Sequence, residues 1–140
     1  MGKDRSRLFK PAVDTYAERL GHYCRFSFSE LPEGRTRADE AGRLLKLLGP
    51  KDRLVALDEG GIAMTSVDLS RLVTTAQNGS QDLLFVIGGD EGLDEAITSR
   101  AHTLLSLSRL TLPHRLARLV LVEQIYRAFT LVRGEPYHRP

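Results

Sequence analysis

One cysteine, Cys24, stands among the 140 residues. A lone thiol rules out an intramolecular disulfide and a cysteine-rich zinc site. No apolar run is long enough to span a bilayer. The first ten residues are basic and broken by polar side chains, unlike a signal peptide. Repeats, low-complexity tracts and an obvious interdomain linker are also absent. His22 and His102 have no companions at metal-ligand spacing, so no metal is expected. The glycines form no Gly-x-Gly-x-x-Gly, which argues against a dinucleotide site of the Rossmann kind. A single domain of the cytoplasm is the expectation.

What is present suits a small globular protein. Hydrophobic residues make up 41% of the chain, enough for a core, and charged residues 27%. The net charge of +2 permits an RNA partner without demanding one. The positive side chains are mostly arginine, which suits phosphate and base stacking better than lysine does.

Helix and strand patterns alternate. Phe9, Val13, Tyr16, Ala17 and Leu20 recur at helical spacing, with Gly21 as a stop. Residues 25–31 alternate, Phe26 and Phe28 sharing a face, and read as a strand. A basic, turn-rich loop at 32–36 leads to a helix over 38–48, closed by Gly49-Pro50. A buried strand over 53–57 is followed by a loop at 58–61. Thr65 or Ser66 caps a helix running to about Gln77, ended by Asn78-Gly79. Strand patterns at 82–87 and 103–107 flank a helix over 93–100. Leu116, Leu119, Val120, Ile125, Tyr126 and Phe129 form the apolar side of a last helix, with Pro113 in its first turn. Strands buried on both faces and separated by helices imply an α/β fold with a mainly parallel sheet and helices on both sides. Ligands of such folds sit at the carboxyl ends of the strands, so the loops after Leu57, Ile87 and Leu107 are the first candidates.

Three segments carry a more specific signal. They are FVIGGDEG at 85–92, SLSRLTLPH at 106–114, and Tyr126-Arg127-Ala128 running on to Pro136-Tyr137-His138-Arg139. In this order and spacing, near the end of a short chain, they resemble the RlmH family of SPOUT methyltransferases. The resemblance covers nearly all of the chain and is best from Leu54 onward. It implies a SPOUT α/β fold whose C-terminal part is threaded into a trefoil knot, and a homodimer. It also implies methyl transfer from S-adenosylmethionine to N3 of a pseudouridine in helix 69 of 23S rRNA, on the assembled ribosome. Family members usually open with a further hydrophobic strand ahead of a Gly-Lys pair. Here Gly2-Lys3 follows Met1 directly, so the sheet is expected to lack that strand.

Matched to the family, the cofactor site comprises Leu57, Gly88, and the loop of Leu107, Ser108, Arg109, Leu110, Thr111 and Leu112. Glycine at 88 and 89 allows close approach to the backbone, although a Gly-Gly pair by itself is more often a tight turn. Leucines can sandwich an adenine while backbone groups read its edge. Methyl transfer is largely a matter of positioning. The N3 of a pseudouridine carries a proton, so a base or a cation beside it would help. His138 is the preferred candidate base. Tyr137 suits stacking on the RNA base, and Arg139 suits phosphate or charge developing on the ring. Taken without the family, this tail would be read as frayed. Glu123 and Arg127 are spaced for an ion pair, and Arg127 could also reach RNA. Cys24 reads as a packed or half-buried thiol. The alternatives are a catalytically silent ribosome-binding protein of the same fold, and an enzyme acting on transfer RNA.

Overall fold

The computed structural model describes residues 3–31, 34–89 and 91–139, with side chains from residue 8 onward. Met1, Gly2, Pro32, Glu33, Asp90 and Pro140 lie outside it, and with them parts of the expected basic loop, the Gly-Gly segment and the two ends. The elements run α1 (Lys3–Leu20), α2 (Arg37–Leu47), β1 (Asp52–Ala63), α3 (Ser66–Asn78), β2 (Asp82–Val86), α4 (Glu95–Arg100), β3 (Thr103–Ser106) and α5 (His114–Val132).

Among the described residues the sheet has three parallel strands in the order β2-β1-β3. Side chains alternate across a strand, so β1 feeds two cores. Val55 and Leu105 point to one face, with Leu69, Leu72 and Val73 of α3, Ile125 and Phe129 of α5, and Val13 and Leu20 of α1. Leu54 and Ala56 point to the other, against Ala41 and Leu44 of α2 and Ile97 of α4. Helices therefore cover both faces, as the alternating pattern predicts. Leu54 and Val55 are fully buried, and truncating such a leucine to alanine costs about 2–5 kcal/mol.

Local chemistry sets the helix ends. Thr65 caps α3: its hydroxyl accepts from the Asp68 N–H, and the Asp68 carboxylate accepts from the Thr65 N–H. Thr36 caps α2 and Asp94 caps α4. Pro113 stands at the N-cap of α5 with extended ψ, one residue ahead of the helical turn expected for it. Its carbonyl accepts from the Ala117 N–H.

Two expectations fail. Residues 25–31 pair with no strand among the described residues. Side chains hold them instead: Phe26 packs on the core, Phe28 lies 6.2 Å from it, and Arg118 sits over the Phe28 ring. Glu30 accepts from Arg115 and Arg118 of α5. The second failure is the loop at 58–61, which lies within β1. Leu57 pairs with Leu105, the intervening residues bulge, and pairing resumes with Ile62 to Leu105 and Ala63 to Ser106. Gly61 makes this possible, because a Cβ there would lie 2.6 Å from the Leu104 carbonyl oxygen.

Candidate active site

In the sheet register Ala56 is level with Val86 on one side and Leu104 on the other. All three strands run the same way. Leu57, inside β1 and not at its end, is thus level with the ends of β2 and β3, where the turn beginning at Gly88 and the loop beginning at Leu107 leave the sheet on either side of it. The structure brings the three segments expected to hold a cofactor to one place.

The two glycines differ in what they do. A Cβ at Gly88 would lie 2.5 Å from the Gly92 carbonyl carbon, so its bare backbone is needed to pack the turn. A Cβ at Gly89 would meet nothing within 4 Å, and the residue is exposed. Gly92 has φ of 78°, which favours glycine, and its N–H donates to the Gly89 carbonyl at 2.9 Å. Arg37, at the start of α2, donates to the Glu91 carbonyl at 3.1 Å and steadies this turn. The open surface therefore belongs to Gly89, which sequence reasoning did not separate from Gly88.

Opposite, Ser108 braces the loop after β3. Its carbonyl accepts from the Ser106 hydroxyl, and its own hydroxyl accepts from the Leu110 N–H at 2.9 Å. Leu107 packs on the core and Leu112 is half-buried, while Arg109, Leu110 and Thr111 are exposed. Leu110 is 76% exposed, an uncovered apolar side chain.

The tail is not loose. Gly134, with φ of 68°, ends α5: its N–H donates to the Leu131 carbonyl, and the Glu135 N–H donates to that of Thr130. The chain then turns back. Tyr137 packs edge-on against Tyr126 at 4.7 Å, and its hydroxyl lies 3.3 Å from that of Tyr16 on α1. Glu123 accepts two N–H groups of Arg127, a third nitrogen of which meets His138 Nδ1 at 3.1 Å. Burial, the hydrogen bond with Tyr16 and the nearby Glu123 carboxylate push the Tyr137 phenol up. The hydrogen bond to Glu123 raises Arg127. Tyr23 donates to Glu135, and that bond carries its phenol up to about 12. Arg139 is exposed. The Glu123–Arg127 pair was visible from its spacing. Tyr16, Tyr23 and Glu135 were not, because their partners lie more than a hundred residues away. Cys24 is half-buried, as expected, and burial raises its thiol.

Along α5 the residues that hold the tail stand away from the 107–112 loop. Glu123 and Arg127 lie nine and thirteen residues after His114, about 14 and 20 Å of helix.

Comparison with known proteins gives the family. The family described as "Predicted SPOUT methyltransferase" matches residues 1–138. A protein of Anaeromyxobacter sp. (strain Fw109-5) is 51% identical over 99% of this chain and 95% of its own length. Relatives from Geotalea daltonii and Streptococcus suis are 41% and 39% identical, over 99% of this chain and 95% and 96% of theirs. All three are named ribosomal RNA large subunit methyltransferase H. The chain belongs to the SPOUT methyltransferase family and, within it, groups with the RlmH proteins.

Proposed function

We propose that this chain is an rRNA methyltransferase that transfers a methyl group from S-adenosylmethionine to N3 of a pseudouridine in helix 69 of 23S rRNA, on the assembled ribosome in the cytoplasm. The relatives' shared name supports the substrate class. The observation that carries the reading is the meeting of Leu57, the Gly88-Gly89 turn and the 107–112 loop at the carboxyl ends of β2 and β3.

The residues there fit the cofactor. Gly89 leaves open space beside the backbone, and the exposed Leu110 offers an apolar cover for an adenine. Leu57, Gly88, Leu107, Ser108, Arg109, Thr111 and Leu112 would shape the rest. When bound, S-adenosylmethionine supplies an electrophilic methyl on a sulfonium. The nitrogen that takes the methyl would have to give up its proton, so charge on the ring would need a partner beside it. The chain's own task is positioning. Tyr137 stacks on the RNA base, His138 meets its polar edge, and Arg127 and Arg139 face phosphate and developing charge.

The separation along α5 favours a homodimer in which each tail completes its partner's site. Threading of the C-terminal part into a trefoil knot, within one domain, belongs to the same reading.

The test is transfer of tritiated methyl to ribosomes. Incorporation into 23S rRNA that vanishes in Gly89→Arg supports the assignment. Intact cofactor binding with no transfer to any ribosome would mean a silent ribosome-binding protein. Preference for free transfer RNA would mean a different substrate.

A further inference from the structure

The contact between Arg127 and His138 decides which nitrogen of the imidazole carries the proton. Arg127 meets Glu123 side-on: its Nε lies 3.1 Å from Oε1 and its NH2 3.1 Å from Oε2. The remaining NH1 lies 3.1 Å from His138 Nδ1. A guanidinium has five donors and no acceptor. Nδ1 must therefore accept, which commits its lone pair and leaves the ring proton on Nε2. Held this way, His138 has no basic nitrogen left to offer a substrate.

We propose that Glu123 is a positioning residue that, through Arg127, makes His138 present an Nε2–H donor, not a base, to the RNA base. This rests on the reading of the tail as part of the substrate site.

Glu123 is well placed for the task. Its side chain is 17% exposed and that of Arg127 22%, so water competes weakly for the fork. Gln124 donates to Glu123 Oε1 at 3.0 Å and accepts from Ser66 of α3 at 2.6 Å, tying the carboxylate to a second helix. The Arg127 guanidinium also lies 4.7 Å above the Tyr137 ring. One carboxylate thus fixes both the stacking ring and the imidazole. Loss of the N3 proton places negative charge on the uracil ring, shared with its two carbonyl oxygens. An Nε2–H aimed at one of them stabilises that charge as it forms. The proton itself passes to water.

Nitrogen-15 NMR of the histidine rings tests this without any methyl transfer. His138, assigned by the signal missing from His138→Gln, should show the Nε2–H tautomer in the wild type. Glu123→Gln, which keeps the side-chain shape, should give mixed tautomers. A wild-type Nδ1–H tautomer, or a Glu123→Gln spectrum unchanged from wild type, overturns the proposal. Activity adds a second arm. His138→Gln can place an amide N–H near the Nε2 position and should keep kcat within about tenfold, whereas His138→Ala should lose about 10²-fold or more. Equal losses in the two variants would make the donor role wrong. An Nε2–H tautomer lost in Glu123→Gln, together with no transfer by the wild type, would defeat the substrate assignment and leave the Glu123 role standing.

Discussion

At the scale of single residues, the turn after β2 shows how two adjacent glycines can carry different duties. Gly88 is bare because the Gly92 backbone occupies the place of its Cβ, and Gly89 is bare beside open space. Gly88→Ala should therefore disturb the turn and lower the melting temperature. Gly89→Ala should leave it within about 0.5 kcal/mol of wild type, as for surface changes generally. Thermal melts of the two variants check this, and equal destabilisation would contradict the geometry. The sequence places both glycines in the right turn but cannot rank them, since the deciding neighbour is a loop backbone whose path is fixed by tertiary folding. The same holds for His138: its chemical type is legible, while its tautomer depends on a chain reversal at Gly134.

At the scale of elements, legibility follows how local the cause is. The Thr65 cap of α3 rests on residues three apart, and the sequence shows it directly. Strand β2 and the helix α5 follow from runs of side chains with their own periodicity. Residues 25–31 have the alternation of a strand yet pair with none among the described residues, and α5 holds them through Phe28 and Glu30. The continuation of β1 through 58–61 depends on the close approach of Gly61 to β3, which no local pattern encodes. The capping box also gives a pH signature. Hydrogen bonds from Thr65 hold the Asp68 carboxyl below its ordinary range. A lowered folded-state value means the contribution is complete above the unfolded value of about 3.9 and drains away as pH falls through the folded one. Asp68→Asn should melt below wild type at neutral pH, and the gap should close toward pH of about 2. A gap independent of pH would assign the effect to shape alone. Thr65→Ala should cost about 1 kcal/mol.

At the scale of the whole molecule, the distribution of chemistry along α5 is the organising fact. Its start follows the 107–112 loop, and its end folds a tail of tyrosine, histidine and arginine back onto α1. If two chains each lend a tail to the other, complementation follows. A chain lacking 137–140 and a Gly89→Arg chain, each inactive alone, should recover activity when mixed. With half the dimers mixed and one intact site in each, about a quarter of wild-type methyl transfer is expected. No recovery, with mixed dimers confirmed by mass, would place the tail in its own chain's site. All of this presupposes one pocket. The most direct test is titration of the isotope-labelled protein with S-adenosylmethionine, followed by amide NMR. Saturable shifts centred on Leu57, Gly88, Gly89 and residues 107–112 are the predicted result. Saturation that leaves those amides still, while moving others elsewhere on the fold, would contradict the account.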